Sequence, residues 1–148
     1  MANAEDIQKL RLATGAGVMD CKKALEEASW DFDRAKEVIF EKGLLKAERK
    51  AERKTGAGLL ETYVHNGRIG VLLELRCETD FVVRSEPFRW LAHELAMQLA
   101  AIDAVSVDDF LRQPYMRDDS LTIEQLVKNT VAKTGENIKI ERFCRYVL

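Results

Sequence analysis

Glu78-Thr79-Asp80-Phe81 offers another molecule two carboxylates, a hydroxyl and an aromatic ring in consecutive positions. The stretch closes an alternating run in which Val71, Leu73 and Leu75 are set against Leu72, Glu74 and Arg76, the period of a half-covered strand. Thr79 and Asp80 favour turns and helix starts, because their side-chain oxygens accept otherwise unpartnered backbone N–H groups. Phe81 then falls in the first turn beyond the end of a sheet, beside a carboxylate, suited to probing a partner's pocket. The alternative is a ring packed beneath its own turn, as most aromatic side chains are core. Val82 completes the tip.

No reaction centre can be assembled around these residues. Glu78 and Asp80 are a pair of acids, which alone is a weak hydrolase signal. The histidines, His65 and His93, form no triad with a serine or cysteine nucleophile and fall at no metal-ligand spacing. Cys21, Cys77 and Cys144 are odd in number, far apart and without a Cys-x-x-Cys pair, so they read as reduced thiols acting as small hydrophobes. Cys144, near the chain end on an expected strand, is the one suited to an intermolecular contact. Thr14-Gly15-Ala16-Gly17 matches a phosphate loop only in glycine count. The chemistry is that of a binding protein, not an enzyme, with neither metal nor cofactor.

A chain of 148 residues with 47% hydrophobic content can form one ordinary core, or a smaller core with an attached mini-domain. Its net charge of −2 and pI of about 5.8 give no global basic field to attract nucleic acid or anionic lipid. No apolar run approaches the roughly 18 residues of a membrane span. Met1 to Asp6 is acidic and polar, unlike a signal peptide, so a cytoplasmic address is expected, or an organelle matrix.

The elements that must hold the tip follow from periodicity. Residues 1–43 read as a three-helix bundle. Its first helix spans Asn3 to Thr14, with Ile7 and Leu10 inward and Gly15 as a left-handed exit. The second follows Gly17 and carries Val18, Cys21, Leu25 and Ala28. The third is capped by Asp31, buries Phe32, Ala35, Val38 and Ile39, and closes at Gly43. Two apolar side chains do not fit this bundle. Leu12 lies about 140° around its helix from Ile7, and Met19 has Lys22, Lys23 and Glu26 at helical spacing. They flank the Thr14–Gly17 turn and form a small apolar patch of the kind that marks a partner surface.

Residues 44–55 read as a charged helical linker built on the echo Ala47-Glu48-Arg49-Lys50 and Ala51-Glu52-Arg53-Lys54. Acidic residues interrupt its basic ones and no aromatic is available for base stacking, which disfavours RNA binding. Residues 56–148 read as an α+β core. A strand holds Leu60, Thr62 and Val64, and Asn66-Gly67 signals a hairpin back to Ile69–Cys77. A very apolar helix runs from Pro87 to Ile102, with Phe88, Leu91, Leu95 and Leu99 on one stripe and Trp90 and Met97 widening it. The segment from Asp103 to Ser120 is turn-rich. A helix from Thr122 to Lys133 and a final alternating strand from Asn137 to Leu148 complete a three-stranded antiparallel sheet with packed helices.

Three stretches resemble the translation elongation factor Ts family: Leu10-Arg11-Leu12-Ala13-Thr14-Gly15-Ala16-Gly17-Val18-Met19-Asp20-Cys21-Lys22-Lys23-Ala24-Leu25, Glu78-Thr79-Asp80-Phe81-Val82, and Gly135-Glu136-Asn137-Ile138. The resemblance covers nearly the whole chain in order. It implies a guanine-nucleotide exchange factor for elongation factor Tu, or alternatively a docking subunit for the same GTPase that does not accelerate exchange. It further implies a ubiquitin-associated-like bundle that docks on the GTPase domain, with Leu12, Val18 and Met19 at its contacts. The core would insert Asp80 and Phe81, flanked by Thr79 and Val82, beside the partner's magnesium and phosphate site. Longer members carry a second half-core and a helical hairpin, and the interval from Ala104 to Ser120 is short even for compact ones. Short members pair two copies. Here the apolar helix, with Trp90 and Met97, and the terminal strand, with Cys144, would serve such a homodimer. Val83 and Ser85 depart from the Ala and Asn that many members carry.

Overall fold

The computed structural model describes residues 3–148, which divide into two compact units, one ending at Lys46 and the other running Ala47–Leu148. The first unit begins with α1 (Ala4–Thr14), whose N-cap Asn3 accepts the Glu5 N–H at 3.2 Å and whose exit is Gly15 at φ 72°. α2 (Val18–Glu27) follows, and α3 (Phe32–Arg49) starts where Asp31 accepts the Arg34 N–H at 3.0 Å. Leu10, Cys21, Ala24, Leu25, Ala28 and Ala35 form the core, with Ile7, Phe32, Val38 and Ile39 packed around it. Half of that core is alanine, which makes it shallow.

The third helix does not close at Gly43. It continues to Arg49, so 44–49 are its last turns rather than a separate linker helix. A glycine inside a helix costs about 1 kcal/mol relative to alanine. The good helix formers on both sides, from Glu41-Lys42 to Ala47-Glu48, outweigh that.

The second unit is built on a sheet of order β1-β2-β5, antiparallel throughout, from β1 (Ala57–His65), β2 (Ile69–Cys77) and β5 (Ile138–Val147). Asn66 and Gly67, at φ 51° and 65°, turn β1 into β2. Val71, Leu73, Leu75 and Cys77 bury one face. Over it lie α5 (Glu86–Ala101) and α7 (Ile123–Thr134), with the short helix α6 (Val107–Arg112). Among the described residues the architecture is α+β, with seven helices once the four-residue α4 (Asp80–Val83) is counted.

Two local features depart from the sequence pattern. In β1 the half-buried set is Leu59, Glu61 and Tyr63, so Leu60, Thr62 and Val64 face outward. In β5 the register shifts between the pairs Glu74–Arg142 and Leu75–Ile140, leaving Glu141 as a bulge. The inward positions are therefore Ile138 and Ile140 before the bulge but Phe143 and Arg145 after it.

Residues 103–120 are more ordered than their composition suggests. Besides α6 they contribute to a two-stranded ribbon, β3 (Pro114–Tyr115) with β4 (Asp118–Thr122). Polar groups buried on α5 hold it. The Gln98 amide donates to Pro114 O at 3.0 Å and to Gln113 Oε1 at 3.2 Å, and Gln98 Oε1 accepts the Met116 N–H at 2.9 Å. Buried Glu94 accepts the Tyr115 hydroxyl and pairs with Arg117 Nε at 2.9 Å. A buried carboxylate is tolerated only with such partners.

Candidate functional site

β2 ends at Cys77 and the chain turns at once into α4. Thr79 is its N-cap, in extended backbone (φ −133°, ψ 154°), and its hydroxyl oxygen accepts the Val82 N–H at 3.4 Å. An isolated helix of four residues does not sustain itself, because nucleation is unfavourable. Packing supplies part of what is missing. Val82 is buried against the core beneath the tip, while Phe81, the residue before it, is 83% exposed. Asp80 is exposed beside it, at the first helical position, where a carboxylate is favoured by the helix dipole. Thr79, Asp80, Phe81 and Val82 are thus brought together as one projection, with three residues outward and one acting as its root.

Side chains from distant segments brace the base of the projection. The Thr79 N–H and hydroxyl both donate to the Glu136 carboxylate, at 2.9 and 2.6 Å. The Asn137 N–H donates to Glu78 Oε1 at 3.2 Å, and the Asn137 amide donates to Ala51 O and Arg53 O at 3.2 and 2.8 Å. The Cys77 thiol donates to Thr79 O at 3.3 Å. Burial pushes that thiol above its ordinary pKa of 9.0, so Cys77 is a protonated structural group and not a nucleophile. Sequence reasoning did not assign a role to Glu78, Glu136, Asn137 or Arg53. The available signals were the motifs that hold them, Glu78-Thr79-Asp80-Phe81-Val82 for Glu78 and Gly135-Glu136-Asn137-Ile138 for Glu136 and Asn137.

In the first unit, Leu12 on α1 is 81% exposed and Met19 on α2 is 60% exposed, on either side of the Gly15–Gly17 turn. Val18, expected on the inward stripe, is exposed as well, because as the first residue of α2 it precedes the turn that packs. All three apolar side chains are therefore open to solvent.

The residues expected at a dimer contact are not brought together. Cys144 is exposed on the outer face of the sheet, across from Leu72. Exposed Leu60, Val64, Leu72 and Tyr146 share that face, with Glu74 holding Arg76 and Arg142 at 2.7 and 2.9 Å. Those two hydrogen bonds draw the Glu74 carboxyl below its ordinary pKa of 4.5. Trp90 and Met97 instead belong to α5, behind the sheet, where Trp90 lines a shallow groove with Glu86, Pro87, Thr130 and Lys133. No cluster of His, Cys, Asp or Glu among the described residues could hold a metal ion, and no described helix is long and apolar enough to cross a membrane.

Residues 78–147, which contain the tip, Glu136, Asn137 and the whole return strand, match the family model described as Elongation factor TS. The chloroplastic elongation factor Ts of Cyanidioschyzon merolae is 40% identical, over 97% of this chain and 92% of its own length. The chain belongs to the elongation factor Ts family. Elongation factor Ts of Coprothermobacter proteolyticus is 38% identical over 99% of this chain and 98% of its own length. Elongation factor Ts of a Nostoc species is 44% identical over 99% of this chain but only 46% of its own length. Membership ties the chain to translation elongation in protein biosynthesis, in a family with bacterial and chloroplastic members. The match to the Cyanidioschyzon protein runs over 193 positions against 148 residues here, so at least 45 of them (193 less 148) have no counterpart in this chain.

Proposed function

We propose that this chain is a guanine-nucleotide exchange factor for elongation factor Tu, acting by binding alone and not as an enzyme. The single observation that carries the reading is Phe81: a large apolar ring, 83% exposed, on a projection rooted in the core by its neighbour Val82. Leaving such a ring in water is unfavourable, and burying it in a partner contributes about 2 kcal/mol or more as an interface hot spot. Inserted beside the magnesium and phosphate site, with Asp80 at its side, the ring acts as a wedge. Shifting the helices that hold Mg²⁺ and phosphate weakens their grip, and GDP leaves faster. By linkage, nucleotide binding weakens the exchange factor's hold by the same free energy, so incoming GTP releases it.

The first unit is read as a ubiquitin-associated-like bundle, a domain of its own, that docks on the GTPase domain through Leu12, Val18 and Met19. Exposure of all three supports this, since none contributes to its own core. The outer sheet face, with Leu72, Cys144 and Tyr146, is read as the surface on which two copies pair. Trp90 and Met97, on α5 behind the sheet, are read as a separate surface for such a contact. Native mass spectrometry tests it, against a monomer mass of 16.9 kDa.

The second reading is a docking subunit that holds the GTPase without accelerating exchange. Its support is the 45 or more positions of a relative that this chain lacks. Release of fluorescent GDP from elongation factor Tu, with and without the chain, separates the two. Acceleration is expected. Binding with an unchanged release rate would transfer the assignment to the docking subunit.

A further inference from the structure

We propose that Glu136 is the positioning residue of the Phe81 tip, a role that rests on the exchange reading above. The backbone ladder between β2 and β5 ends at the pair Cys77–Ile138. Beyond it the two strands are joined by a reciprocal clasp in which each side chain replaces a ladder bond. The Thr79 N–H donates to Glu136 at 2.9 Å, and the Asn137 N–H donates to Glu78 at 3.2 Å.

The two halves of the clasp do different things. Glu78 and Asn137 also engage residues 51–53: Asn137 through two carbonyls, and Glu78 through Arg53 at 3.7 Å. They hold the segment that leads into β1. Among the described residues the Glu136 carboxylate accepts hydrogen bonds from Thr79 alone, gripping its N–H and its hydroxyl together. Thr79 is the N-cap on which α4 is built, so these two charge-assisted bonds fix the residue from which Phe81 projects. Both bonds are exposed. Without Glu136, water can satisfy the Thr79 groups, and the fold loses little. What is lost is a fixed direction for a helix too short to hold itself. A wedge whose direction wanders must be ordered at the moment of binding, which weakens association.

The test is a double-mutant cycle, read as affinity for nucleotide-free elongation factor Tu and as stimulated GDP release. Glu136→Ala is expected to lower both roughly tenfold while the thermal midpoint barely moves. Glu136→Gln should restore most of the loss, since its amide oxygen accepts the Thr79 N–H and its NH₂ donates to the hydroxyl oxygen. In a Phe81→Ala background, Glu136→Ala should change the affinity no further, because there is no ring left to aim. The same tenfold loss in that background would overturn the proposal, as would unchanged affinity for Glu136→Ala alone. If Phe81→Ala itself had no effect, the exchange reading would fail instead, so the two failures are distinct. Amide hydrogen exchange in the free protein gives an independent readout: residues 79–83 should lose protection in Glu136→Ala while 71–76 keep it. Equal protection in both proteins would also overturn it.

Discussion

α4 and α5 follow each other within three residues and treat their phenylalanines in opposite ways. Phe81 in α4 is 83% exposed; Phe88 in α5 is fully buried. α5 is 16 residues long, starts with a proline in its first turn, and buries nine residues over the sheet and against α7. It is held by the area it covers. α4 has four residues and one buried side chain, and is held by hydrogen bonds at its N-cap and from Glu136. A ring that supplies part of that buried area, as Phe88 does, cannot also be offered to a partner. One on an element held at its base by polar groups can. That difference separates the residues that build this molecule from those we propose act on another.

The comparison is broken most easily at Phe88. Phe88→Ala removes a fully buried ring and should lower unfolding free energy by about 3–5 kcal/mol, measured by urea titration. A loss no greater than that of a surface substitution would mean α5 is not held as described. Next comes the polar support behind α5. Tyr115→Phe removes the hydroxyl that donates to buried Glu94 and should cost roughly 1–2 kcal/mol at neutral pH. Burial, and then the neighbouring Glu94, push the Tyr115 phenol well above its ordinary 10.0. A pKa raised in the folded state contributes stability that is complete below the unfolded value and is lost as pH climbs past about 10. The wild-type protein should therefore lose stability on that alkaline limb, and Tyr115→Phe should show a shallower loss. Parallel curves would show that Tyr115 is not protected in this way. The smallest effect on folding is expected at the tip: Phe81→Ala should leave stability within about 0.5 kcal/mol of wild type.

The sequence carried the tip because each signal there was local. A strand period ending at Cys77, a Thr at an N-cap and an aromatic just after it lie within five residues. Exposure of Leu12 and Met19 was legible for the same reason, from angles around a single helix. What could not be read depended on groups remote in sequence or on equal local choices. Glu136 meets Thr79 across 57 positions, and although each lies in a motif, nothing local says that the two motifs meet. In β1, adjacent Leu59 and Leu60 offer two phases of alternation, and only the packed sheet decides between them. Bulged Glu141 reverses the phase of β5 halfway along, so one continuous alternating pattern spans two faces. Gly43 had the composition of a helix end but not its context, and the helix runs through it. The ribbon β3–β4 exists because Gln98 and Glu94, buried on α5, hold it; its own two-residue strand has no pattern to detect.

The central claim is that one ring, kept out of its own core, opens another protein's nucleotide site. The most direct measurement is the rate of GDP release from elongation factor Tu in the presence of wild-type chain or Phe81→Ala, at equal concentrations of folded protein. Wild type should accelerate release and Phe81→Ala should lose most of that acceleration. Equal acceleration by both would contradict the account.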